Sequence, residues 1–155
     1  MAKTPVVVVR DTLKAYADRG VFQRFSETKG RNGTIKFEFF VFDDNRVTLE
    51  LSERDCTLVI RNMLREVPAN MYEDLQDFLA SLFDRDLPPH RRLDRRSANA
   101  QFVRRRGHVS LVVKVRSHRY KYAAEKLVSL ISWVRTHLQQ RHPSYLWEVL
   151  GESEG

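Results

Sequence analysis

The plainest chemistry in this sequence belongs to the lysines and arginines gathered between residues 85 and 121. Arg85, Arg91, Arg92, Arg95, Arg96, Arg104, Arg105, Arg106, Lys114, Arg116, Arg119 and Lys121 face only Asp86 and Asp94 there, a net of +10. The rest of the chain nets −3, so the overall +7 has a location. Guanidinium groups offer a planar fork of N–H donors that fits a carboxylate or a phosphate. A basic run on a mildly acidic body therefore invites an anionic partner. The same run also suits a solvated loop, or a sheet edge protected from pairing. Arginine outnumbers lysine twenty to seven, which a GC-rich genome produces as readily as phosphate recognition does.

Within that segment, Arg116-Ser117-His118-Arg119-Tyr120-Lys121-Tyr122 reads as the approach to a helix. Ser117 is expected to cap it, with the first amides exposed beside Arg116, Arg119 and Lys121, an arrangement suited to an anion. Arg104–Arg106 falls at a hairpin turn, so the two basic clusters are expected at opposite ends of one hairpin. Phe102, Tyr120 and Tyr122 interleave with the charges and, if exposed, would stack on nucleic-acid bases.

Catalytic patterns are absent. The chain has no G-x-S-x-G elbow, H-E-x-x-H, C-x-x-C or phosphate-binding G-x-x-x-x-G-K-[ST] loop. Gly30 and Gly33 frame Arg31-Asn32 without the lysine and hydroxyl of a phosphate cradle. Cys56 is the single cysteine and follows Asp55, whose charge opposes a thiolate, so a structural cysteine is expected. His137 and His142 stand five apart, about 140° round a continuous helix, and do not share a face as metal ligands at i and i+4 do. His90, His108 and His118 fall in polar surroundings. Turn formation and helix-dipole complementarity account for Asp43-Asp44 and Glu73-Asp74. No catalytic residue, metal ligand or cofactor is expected, and the reading is of a protein that is not an enzyme.

The elements that would carry these groups follow from periodicity. Thr4 and Pro5 open a helix whose stripe is Val6, Val9, Leu13, Tyr16 and Ala17, although four successive valines pull toward strand. Residues 20–33 read as a bend and a polar loop. Ile35, Phe37, Phe39 and Val41 alternate with Lys36, Glu38, Phe40 and Phe42; Val47, Leu49 and Leu51 alternate with Thr48 and Glu50; a third strand begins near Cys56. Met71, Leu75, Phe78, Leu79 and Leu82 mark an amphipathic helix, with Glu73, Asp74 and Asp77 on its wet side. Two prolines and dense charge make 84–98 a flexible basic connector. A hairpin turning at Arg106-Gly107 follows, then a long helix from about Arg119 to Arg141 and a short turn over 144–150. The expectation is one α+β domain over 1–151 with a frayed tail at 152–155. Its two layers hold a five-stranded antiparallel sheet in the order α-β-β-β-α-β-β-α.

The chain has 155 residues, 42% of them hydrophobic, enough for one domain with its own core. No apolar run approaches the roughly 18 residues of a membrane-spanning helix, and the four N-terminal valines are too few for a secretory signal. A cytoplasmic protein with no membrane partner is expected. Phe40 and Phe42, on the strand face opposite Phe37, and Trp133 and Trp147 near the C-terminus are the candidate apolar contacts.

The element order, the length and the long amphipathic C-terminal helix resemble the type III secretion chaperone-like fold, over nearly the whole chain. That resemblance implies a cytoplasmic, non-enzymatic homodimer that holds an extended segment of another protein. The secretion chaperones are typically acidic, whereas this chain is basic, which points to a fold relative with a different partner. The expected function is a chaperone-like protein-binding module, with the basic 85–121 segment steering acidic partners. The alternative is nucleic-acid binding through the same segment.

Overall fold

A computed structural model describes residues 3–41 and 45–149. Phe42, the Asp43-Asp44 turn, Leu150, Gly151 and the tail 152–155 lie outside the described residues.

The N-terminal valines go into helix α1 (Pro5–Asp18). Thr4 Oγ1 accepts the amide of Val7 at 3.4 Å, and Pro5 sits in the first turn, where its missing N–H costs nothing. Val9 and Leu13 are fully buried, so packing outweighs the poor helix propensity of valine.

Six strands, β1 (Gln23–Lys29), β2 (Ile35–Val41), β3 (Asn45–Ser52), β4 (Thr57–Leu64), β5 (Ala98–Arg105) and β6 (His108–Val115), form one antiparallel sheet in the order β1-β2-β3-β4-β6-β5. The α+β class stands, but the sheet has six strands rather than five. The added strand is β1, expected as a loop. It pairs with β2 through a bulge between Gln23 and Ser26 and is exposed except at half-buried Phe25. An edge strand with one side chain packed inward carries no alternating pattern to read. Gly30–Gly33, weighed as a loop of its own, is the turn between β1 and β2, with Asn32 and Gly33 at positive φ.

Helices α2 (Ala69–Ser81), α3 (Tyr120–Arg141) and α4 (Pro143–Glu148) complete the chain, so the order is α-β-β-β-β-α-β-β-α-α. All four helices lie against one side of the sheet. Phe37, Phe39, Leu49, Leu51, Leu58, Val109, Leu111 and Val113 fill that side and are essentially inaccessible. The opposite face carries a cross-strand row of Lys36, Glu50, Val59, Val112 and Gln101. Glu50 there receives Arg61 at 2.7 Å and Lys36 at 3.6 Å. Among the described residues no helix is long and apolar enough to cross a membrane.

The hairpin of β5 and β6 turns at Arg106 (φ 52°) and Gly107 (φ 82°), the two positive φ values a tight hairpin turn requires. Ala98 pairs with Val115 at the other end of the same ladder. Eight-residue strands at about 3.4 Å per residue separate the Arg104–Arg106 cluster from Arg96 and Arg116 by more than 20 Å.

Candidate functional site

The stretch between α2 and β5, read from sequence as a flexible connector, is held at several points. Asp84 Oδ1 accepts the amide of Asp86 at 2.9 Å, which turns the chain out of α2. Pro89–Arg91 makes one 3-10 turn, and Lys126 Nζ of α3 donates to the Pro89 carbonyl at 2.9 Å. Leu93 then dives into the core, 3% exposed, and its amide donates to the Leu82 carbonyl at 2.7 Å. The Asp94 amide donates to the Tyr122 hydroxyl oxygen at 2.9 Å. Asp94 Oδ1 accepts the amide of Arg96 at 3.0 Å, and its backbone carbonyl accepts the amides of Ser97 and Ala98, closing the turn into β5.

Because Leu93 and Asp94 are fixed, the arginines on either side surround a cleft. Phe83, Arg85, Arg92, Leu93, Asp94, Arg95 and Arg96 enclose about 270 Å³. Arg92 Nη1 donates to the Arg85 carbonyl at 2.8 Å, and the Arg95 guanidinium lies 4.4 Å from the Phe83 ring centroid. That cation–π contact restrains Arg95 over the ring. Arg96 is 89% exposed, with Nε 3.6 Å from Asp94 Oδ1. It also borders a wider groove of about 950 Å³ with Arg54, Asp55, Lys114, Arg116 and Ser117. One basic surface therefore runs from the cleft to the end of β6.

The charge of this region marks its neighbours. The Arg96 backbone amide, assisted by the charge of its guanidinium, holds the Asp94 carboxyl below the usual carboxylate range. Burial lowers the Lys126 ammonium from its ordinary value, and the charge of Arg92 acts in the same direction.

Other residues singled out from the sequence lie elsewhere. Arg91 is exposed on the 3-10 turn and does not line the cleft. Arg104 Nε donates to the Val67 carbonyl at 2.9 Å, while Arg105 and Arg106 are exposed at the far end of the hairpin. Ser117 does not cap α3, because Ser117 and His118 both adopt positive φ and displace the helix start to Tyr120. Arg119 turns inward, Nη1 donating to Ser97 Oγ at 2.6 Å. Lys121 borders a groove on α1 with Asp11, Tyr16 and Glu125. The expected anion site at the start of α3 is thus not assembled.

Phe102 and Tyr120 are 5% and 4% exposed, and the Tyr122 hydroxyl is engaged by Asp94, so these rings form no outward stacking platform. Phe40 projects from the helix-free face, 5.1 Å beneath the Arg24 guanidinium. Trp133 lies on α3, on the other layer, and Trp147 on α4 is 56% exposed. Among the described residues, the apolar candidates Phe40, Trp133 and Trp147 therefore do not form one surface. Cys56 is half-buried immediately before β4, with Sγ 3.7 Å from the Glu53 carbonyl oxygen.

The structure gathers one cluster that the sequence reading set aside. Asp74 Oδ2 accepts Nε2–H from His137 and from His142, each at 2.7 Å. The 140° separation held only for a continuous helix. Pro143 disfavours helical backbone at the residue before it, and His142 leaves α3 at φ −138°, ψ 53°, so its ring folds back beside His137. His-Pro at the end of a long helix was the available signal. The two imidazoles, His142 foremost, hold the Asp74 carboxyl below its usual range.

No protein-family model, curated protein or solved structure matches this chain.

Proposed function

We propose that this protein is a non-enzymatic binding module that holds an acidic, extended segment of a partner protein along the basic surface from the Arg85–Arg96 cleft to Arg116. The observation that carries this reading is the composition of the cleft. Four arginines stand around an apolar floor of Phe83 and Leu93, within a volume suited to one or two side chains. Arginine forks take carboxylates in paired hydrogen bonds, and the floor accepts the apolar residues between them. Arg54, Lys114 and Arg116 continue the positive track for the rest of the segment.

Nucleic acid is the less favoured ligand because Phe102 and Tyr120, the rings interleaved with the charges, are buried and offer bases no platform to stack on. The reading places the protein in the cytoplasm as a homodimer, with the exposed indole of Trp147 as the contact to a second copy.

Fluorescence anisotropy with a labelled Asp/Glu-rich peptide, and with single- and double-stranded oligonucleotides, tests the proposal. Peptide binding is expected to persist at physiological salt and to be lost in the Arg92→Ser, Arg95→Ser, Arg96→Ser triple variant. Tighter oligonucleotide binding at that salt would replace the reading with nucleic-acid recognition. Absence of binding to either would leave the charge as a solvated surface.

A further inference from the structure

Asp74, His137 and His142 share no residue with the basic surface, and their geometry has its own consequence. The chain brings them from the middle of α2, the last turns of α3 and the elbow before α4. One ligand-type atom from each lies within 4.8 Å of the others. Both imidazoles present Nε2 to the same carboxylate oxygen. Imidazole nitrogen and carboxylate oxygen are the donors that divalent ions of the zinc class take.

We propose that Asp74, His137 and His142 form a three-ligand site for a divalent transition-metal ion of the zinc class, with the fourth position open to water. Tetrahedral ligands about 2.0–2.1 Å from zinc lie roughly 3.3 Å from one another. Admitting the ion therefore parts each imidazole from Oδ2 by roughly half an ångström, within reach of small side-chain rotations. The three side chains are 14–24% exposed, shielded but open to an entering ion. His137 is aimed in advance by stacking on Phe78, centroids 4.2 Å apart and planes at 17°. The turn enforced by Pro143 aims His142.

Arg141 Nη2 stands 3.7 Å from the other oxygen, Oδ1, and its side chain is 66% exposed, so it can swing into solvent as the ion enters. Binding needs a bare Nε2 on each imidazole, so each neutral ring carries its N–H on Nδ1 once the ion is in place. The ion would tie α2 to the elbow between α3 and α4, and would raise the melting temperature.

The test is calorimetric titration of the chelator-treated 155-residue chain with zinc chloride, with cobalt(II) absorption as a report of coordination geometry. One equivalent is expected to bind, with the intense visible bands of tetrahedral cobalt. Asp74→Asn keeps an acceptor for the imidazoles while removing the charged ligand, and His142→Gln removes a nitrogen ligand. Each is expected to weaken zinc binding at least about a hundredfold, whereas His118→Gln, at the far end of α3, leaves it unchanged. Absence of binding to the wild type would overturn the proposal. So would binding that Asp74→Asn and His142→Gln leave unaltered, because the ion would then sit on other groups. Should His142→Gln fail to fold, Asp74→Asn with the same readout decides.

Discussion

The backbone amide of Asp94 donates to the hydroxyl oxygen of Tyr122 over 2.9 Å, and this bond fastens the basic loop to the longest helix of the protein. Leu93, one residue earlier, is buried in the core, so the cleft is built around a fixed point. Tyr122→Phe removes the acceptor and leaves a partly buried amide without its partner. Urea unfolding is expected to show a loss of about 1 kcal/mol. Peptide affinity should fall in parallel, although Tyr122 is not among the cleft-lining residues.

Leu93→Ala tests the same anchor through packing. Removing a side chain that is 3% exposed is expected to cost about 2–5 kcal/mol, the usual range for a buried leucine truncation. Denaturant titration checks the value, and a loss under 1 kcal/mol would mean that the loop is not anchored through Leu93.

Asp94 gives the loop a pH dependence whose sign is fixed. Its folded-state pKa is depressed, so its contribution is fully present above the unfolded value of about 4 and is lost as pH falls through the folded value. Wild type should therefore exceed Asp94→Asn in stability at neutral pH, and the two should converge under acid conditions. Thermal melts across that range measure it, and a constant gap would exclude the charge as the cause.

Arg10 clasps Glu27 with two hydrogen bonds, of 2.5 and 2.8 Å, joining α1 to the edge strand β1. The pair holds Glu27 below its usual pKa, chiefly through the hydrogen bond from Arg10. In Glu27→Gln, hydrogen exchange of β1 amides should accelerate while the amides of β4 and β6 stay protected. Equal acceleration throughout the sheet would show that the clasp acts on the whole fold rather than on its edge.

Strands and helices with one buried face could be read from the sequence because burial enforces a period. Phe37 and Phe39 alternate with Lys36 and Glu38, and Met71, Leu75 and Leu79 recur at helical spacing. β1 escaped because its single half-buried side chain, Phe25, enforces none. The arginines of the cleft were visible as charge, but Phe83 beneath Arg95 was not, since its role depends on a fold-back between α2 and β5. Ser117 fits a cap by residue type, yet its positive φ assigns it to the turn before α3. The pairing of His137 with His142 required knowing that the helix stops at Pro143.

Competition at physiological salt tests the central claim most directly. A labelled acidic peptide bound to the wild-type protein is challenged with unlabelled acidic peptide, and separately with single-stranded oligonucleotide of equal charge. If the Arg85–Arg96 cleft recognises carboxylates on a protein segment, the unlabelled peptide displaces the label at lower concentration than the oligonucleotide does. An oligonucleotide that displaces it equally well or better would contradict the account.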